Sequence, residues 1–283
     1  MEKIAVITDT DASLPLELAE EHGIIQVPIT VHFGSQVLKA CQEIDDRELF
    51  LRVDREGSIP TTAAPSPGDF AQAYRQAAAA GAEKVICFTV SSEVSATYQS
   101  ALTAREIVPE IPVEVVDTWS VSMGQGFLVL EAAEMVQNGH SQEEILSRLE
   151  GIRGRTHLYA ALDTLRYMAM SGRVGQLTAG MANFLDIKPI LTIQDGKLDL
   201  LEKVRTRKKS RARLLELIQN SLKEKQIERI FLIHVDAPES AAEFEEQLRA
   251  ALDYQGPMPY TELTPGLSVH AGKGVVGAAY LTD

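Results

Sequence analysis

The chain has 283 residues, 45% of them hydrophobic and 24% charged, and 27 Lys and Arg stand against 40 Asp and Glu for a formal net charge of −13. That length suits one large or two medium domains with a substantial core, and no apolar run approaches the ~18 residues of a membrane-spanning helix. The negative charge disfavours nucleic acid and anionic membrane surfaces as primary partners, since both would repel the chain at long range.

Met1-Glu2-Lys3 passes at once into Ile4-Ala5-Val6-Ile7, which is too short for a signal-peptide core, so a cytoplasmic protein is expected. Residues 4–8 read as a strand leading through Asp9-Thr10-Asp11 to a helix that Ser13 caps, Pro15 opens and Gly23 ends. Residues 24–38 alternate as a hairpin about Gly34-Ser35, and Asp45 with Glu48 forms a capping-box pattern for a short helix. The stretch from Ile59 to Pro67 holds too many prolines for a helix or an inner strand. Ser66 and Asp69 form the next capping box, and Phe70, Ala73, Tyr74 and Ala77 share one helical face. A strand at 85–90, the run Ser91 to Tyr98, a helix from Tyr98 to Val108 and a strand at 113–117 follow. Ser122 and Gly124 open a helix to Asn138, and Ser141 with Glu144 caps another carrying Ile145, Leu149 and Ile152. This alternation implies a three-layer α/β/α domain with a mostly parallel sheet over residues 1–154.

The rhythm then changes. A short strand at 158–162 precedes a hairpin of 190–193 and 197–201 about Asp195-Gly196 and a helix rich in cations. A strand at 229–235, a helix at 238–252 with Ala241, Phe244, Leu248 and Leu252 on one side, and a strand at 274–281 complete it. Hairpins mixed with helices imply an α+β domain with a mixed sheet over residues 155–283. Lys203, Arg205, Arg207, Lys208, Lys209, Arg211 and Arg213 crowd the start of the cationic helix. Cations there oppose the helix dipole, so stability does not explain them. They form either a solvated basic loop or a docking surface for an acidic or phosphate-bearing partner.

Hydroxyl-rich corners carry the chemistry. Ser91 to Tyr98 holds five hydroxyls in eight residues, where a strand end meets a helix start whose free N–H groups attract anions. Asp9-Thr10, Pro60-Thr61-Thr62, and Asp117-Thr118 with Ser120 and Ser122 are further corners, and those at 9, 91 and 117 should share one edge of the parallel sheet. His270-Ala271-Gly272-Lys273-Gly274 fails as a phosphate loop, because Gly274 stands where Ser or Thr is needed. No nucleophile elbow, HExxH or dinucleotide fingerprint is present. Six scattered histidines and two distant cysteines, Cys41 and Cys87, give no metal site or disulfide framework.

Taken in order, Asp9-Thr10 with Ser13-Leu14-Pro15, Pro60-Thr61-Thr62 with Pro65-Ser66-Pro67, Ser91 to Ala101, Asp117-Thr118 with Ser122 to Gly126, Gly172-Arg173-Val174, Lys188 to Leu191, and His270-Ala271-Gly272 with Gly274 and Gly277 resemble the DegV family along the whole chain. The resemblance implies a two-domain protein holding one long-chain fatty acid between its domains, with no cofactor and no catalysis of its own. Family members of this kind present the bound carboxylate to a separate kinase that forms an acyl phosphate. By the same resemblance Thr62 and Ser95 hydrogen-bond the carboxylate, the Ala96 N–H adds a donor, and His270 approaches from the second domain. Thr61 and Lys273 are further candidates, and Arg173, Arg205 and Arg207 are candidates for docking the kinase. Ala96 replaces the family's usual glycine, Ala63-Ala64 a Ser-Gln pair, Ser13 an acidic residue, and Lys273 a proline. Three other readings stay open: an acyl hydrolase or acyltransferase with Ser95 as nucleophile and His270 as base, a small-anion or phosphate-sugar module with a polar pocket, and a pure interaction protein with no internal tunnel.

Overall fold

A computed structural model describes residues 2–173, 187–223 and 225–283. In chain order β1 (Ile4–Asp9), α1 (Leu16–Glu21), β2 (Ile25–Val27), the hairpin of β3 (Thr30–Phe33) and β4 (Gln36–Lys39), α2 (Asp46–Glu56), β5 (Thr61–Ala63), α3 (Pro67–Ala79), β6 (Lys84–Thr89), α4 (Thr97–Ile107), β7 (Val113–Asp117), α5 (Met123–Gln137) and α6 (Gln142–Arg153) make the first half. The second runs β8 (Thr156–Ala161), α7 (Arg166–Met170), β9 (Lys188–Gln194), β10 (Lys197–Val204), α8 (Arg207–Leu222), β11 (Ile227–His234), α9 (Pro238–Leu252), β12 (Tyr260–Glu262), α10 (Pro265–Ala271) and β13 (Val276–Thr282). The fold is mixed α/β. A parallel sheet has the order β2-β1-β6-β7, a mixed sheet the order β10-β9-β8-β13-β11-β12, and β4-β3-β5 form a small antiparallel sheet.

Local chemistry accounts for many of these elements. Both complete capping boxes form: Ser66 with Asp69 starts α3 and Ser141 with Glu144 starts α6, each satisfying two helix-end donors at once. The inner parallel strand β6 carries an unbroken apolar run from Val85 to Phe88 because helices cover both of its faces. Helix α5 is apolar on nearly every side from Met123 to Ala133, the pattern of a helix with no solvent face. It packs against β1 and β6 of one sheet and β8 and β13 of the other. One cluster of buried side chains therefore runs from Ile4 through Phe127 to Phe231 and Leu281. Gly126 permits the close approach, since a methyl group there would lie 3.2 Å from the Ala12 carbonyl oxygen.

Some elements differ from those read in the sequence. Ser13 does not cap α1; it sits in the left-handed region at φ 51° and ends a 3-10 turn, and Pro15 takes the cap position without a side-chain bond. Residues 25–27 pair in parallel with β1 rather than joining the hairpin. The proline-rich stretch supplies β5, an edge strand, where a flanking proline costs no ladder bond. Strand β12 and helix α10 are additions, and α10 places His270 in its last turn.

Candidate ligand-binding site

Strands β1, β6 and β7 run in parallel, so the corners after Asp9, Thr89 and Asp117 open on one edge of the sheet. Two of them are structural. Asp9 is fully buried and accepts from Val90 N at 2.7 Å, Asp11 N at 2.9 Å and Gln125 Nε2 at 3.3 Å. Burial pushes its carboxyl up to about 6, against those bonds. The Thr118 hydroxyl donates to Thr89 O at 2.7 Å, which ties β7 to β6. Within the serine run, Ser91 is also structural, because its hydroxyl donates to Gly196 O at 2.7 Å and fastens the corner to the β9–β10 turn.

Beside these corners lies a cavity of about 380 Å³ between the parallel-sheet edge and the mixed sheet. It falls within the ~300–1,000 Å³ range of small-molecule pockets. Val90, Val94, Leu158, Leu191, Ile233 and Leu267 are among its apolar lining residues. Thr62, Ser95, Ala96, His270 and Arg173 all line it as well. Thr62 comes from β5 and His270 from α10, and Thr62 Oγ1 lies 3.0 Å from His270 Nε2. Ser100 in α4 donates to Pro65 O at 2.5 Å and so holds the start of α4 against the segment that carries Thr62.

Ser95 Oγ lies 2.8 Å from Thr97 Oγ1 and accepts from Thr97 N at 3.3 Å. Ala96 precedes the first residue of α4, and its N–H has no acceptor among the described residues. Burial first, and then the Arg173 guanidinium, push the His270 imidazole down to about 4. The ring is therefore neutral at pH 7, and its Nδ1 is buried without a partner among the described residues. Among the described residues Arg173 bonds only the Ser171 carbonyl, at 2.9 Å. A carboxylate placed here would meet hydroxyls, a neutral ring and a helix-start N–H, with the Arg173 guanidinium in the same lining. Such donors favour an anion.

Other sequence candidates lie elsewhere. Thr61 is exposed and does not line the cavity. Lys273 is drawn to Asp54 at 2.7 Å and Asp236 at 3.8 Å and stands over the Phe50 ring, also outside the lining. The basic cluster divides: Arg207 pairs with Asp163, Arg213 with Glu202 and Glu216, and Arg211 donates to the carbonyls of Ala161, Val276 and Gly274. Arg205, Lys208 and Lys209 are exposed with no ion-pair partner among the described residues. Val174, quoted with Gly172 and Arg173, lies outside the described residues. Sequence reading missed Asp11 and Ser122 in the cavity wall. Their only signal was their place in hydroxyl-rich corners.

A family profile described as "Uncharacterised protein, DegV family" matches residues 3–283. A DegV domain-containing protein of Streptomyces coelicolor is 34% identical over 274 residues, covering 97% of this chain and 96% of its own. The solved structure of a DegV family protein from Thermus thermophilus, described as fatty acid binding, is 30% identical with a TM-score of 0.90, covering 99% of this chain and 100% of that one. Bacillus subtilis DegV, described as a fatty acid binding protein, is 29% identical with a TM-score of 0.89 and complete coverage of both chains. On the whole-length match and these relatives, the chain belongs to the DegV family.

Proposed function

We propose that this protein binds one long-chain fatty acid in the cavity, tail among the apolar side chains and carboxylate at Thr62, Ser95, Ala96 N–H and His270, and presents that carboxylate to a separate kinase. Residues 1–154 and 155–283 act as the two halves of the clamp, and the protein does no chemistry itself. The observation that carries this reading is an apolar cavity with hydroxyls and an uncharged imidazole gathered in its wall. Burying the tail contributes ~0.8 kcal/mol per CH₂, a gross term on the order of 10 kcal/mol from which binding costs are subtracted. The polar groups orient the head without neutralising it, so the carboxylate keeps its nucleophilicity toward a phosphoryl donor. Arg173 in the lining, with exposed Arg205, Lys208 and Lys209, offers positive charge to an acidic kinase surface.

The hydrolase reading is disfavoured by geometry. Ser95 bonds Thr97 rather than His270, and among the described residues no carboxylate orients Nδ1 of His270, as an activated serine or threonine would require. An imidazole near 4 is also a poor base at neutral pH. Titration of delipidated protein calorimetrically tests the choice. Stearate should bind one to one, phosphate and acetate should not bind, and long-chain p-nitrophenyl esters should not turn over. Binding of the small anions alone, or ester turnover lost in Ser95→Ala, would replace this reading.

A further inference from the structure

Asp11 and Ser122 form a second polar place in the cavity wall, apart from the head-group residues. Asp11 is 5% exposed and Ser122 is fully buried, and both line the cavity. They are neighbours, because Ser122 N donates to Asp11 O at 2.7 Å. The Asp11 side chain has one bond, from the Thr264 hydroxyl to Oδ1 at 3.3 Å, and Oδ2 has no donor among the described residues. The Ser122 hydroxyl has no partner at all among them. Gly266 leaves space for Oδ1, since a methyl group there would collide with it. Burial, and then the Asp9 carboxylate, hold the Asp11 carboxyl well above the usual carboxylate range.

A plain alkyl tail filling the cavity would leave Asp11 Oδ2 and the Ser122 hydroxyl without partners, and buried polar groups so stranded are costly. A hydroxyl on the tail answers both: its O–H donates to an Asp11 carboxyl oxygen while its oxygen accepts from the Ser122 O–H. We propose that Asp11 and Ser122 form a subsite for a hydroxylated acyl chain, so that the cavity prefers a hydroxy fatty acid to the plain acid. This rests on the fatty-acid reading of the cavity given above. Asp11 sits against Thr264 and Gly266 at the start of α10, whereas His270 is four residues beyond Gly266, about 6 Å along the helix axis. The hydroxyl therefore belongs several carbons down the tail. A 2-hydroxy group would fall beside the head-group residues.

The test is competitive displacement from delipidated protein by stearate, 2-hydroxystearate, 6-hydroxystearate, 8-hydroxystearate and 6-oxostearate. At least one tail-hydroxylated acid should bind at least fivefold, and on the order of tenfold, tighter than stearate, while 2-hydroxystearate gains nothing. The oxo acid, which accepts but cannot donate, should fall between. Asp11→Asn and Ser122→Ala, checked for folding by urea melts, should reduce the preference to less than about threefold while stearate still binds. A preference under fivefold for every tail-hydroxylated acid in the wild type overturns the subsite and leaves an ordered water as the partner of these groups. So does a preference that both variants retain. Failure of all five acids to bind refutes the fatty-acid reading instead, so the two failures are distinguishable.

Discussion

Replacing His270 by Gln should change the pH dependence of stability in a stated direction and amount. In the folded protein the imidazole is pushed down to about 4 from its ordinary 6.5, chiefly by burial and next by Arg173. As pH falls below 6.5 the unfolded chain takes up a proton that the folded chain refuses, so stability is lost between pH 6.5 and 4 and regained as pH rises. The shift is worth roughly 3 kcal/mol over the whole window and roughly 2 kcal/mol at pH 5. Asp9 acts in the opposite sense over much of the same range, since its buried carboxyl protonates near 6 in the folded state and the fold gains stability as pH falls through that value. The wild-type profile alone would hide both. Urea unfolding of wild type and His270→Gln at pH 7.5 and pH 5, without ligand, isolates the histidine. The variant should gain roughly 2 kcal/mol relative to wild type on acidification. Differences that agree within about 0.5 kcal/mol at the two pH values would mean that the ring is solvated and protonates normally, and would remove the neutral imidazole from the proposed carboxylate site.

Thr62→Val and Ser95→Ala should each weaken stearate binding roughly tenfold to a hundredfold, the loss of one hydrogen bond to an ionised group, with the bound stoichiometry unchanged in calorimetry. Lys273→Ala should leave stearate affinity within about twofold and cost at most ~1 kcal/mol in urea, because its ammonium serves part-exposed pairs with Asp54 and Asp236. Gly277→Ala should destabilise by more than ~2 kcal/mol, since the added methyl meets the Tyr159 carbonyl and Ala160 in the adjoining strand, where neither can move aside. A cost near zero would mean that β8 and β13 are further apart than described.

What could be read in advance was what depends on neighbours in sequence. Ser66 with Asp69, and Ser141 with Glu144, announce their helices because a capping box closes within one turn. Pro238 and the apolar face of α9 fixed that helix at both ends. The β9–β10 hairpin followed from Asp195-Gly196, where φ is positive at both residues. The pairing of Thr62 with His270 spans 208 positions, so no local pattern brings those residues together; only the family resemblance did. The cationic cluster shows the opposite failure. Sequence grouped seven charges as one surface, but Asp163, Glu202 and a set of backbone carbonyls claim Arg207, Arg213 and Arg211. Asp11 read only as part of the link from the first strand to the first helix, and its burial involves α10, a short helix with no capping side chain.

The central claim is that the cavity holds a fatty acid, and native mass spectrometry of the protein as purified, followed by organic extraction, measures it most directly. The account predicts a mass excess of one long-chain fatty acid per chain, recovered in the extract and replaced one for one on incubation with stearate. An unliganded mass, with no fatty acid extracted and none taken up on incubation, would contradict it.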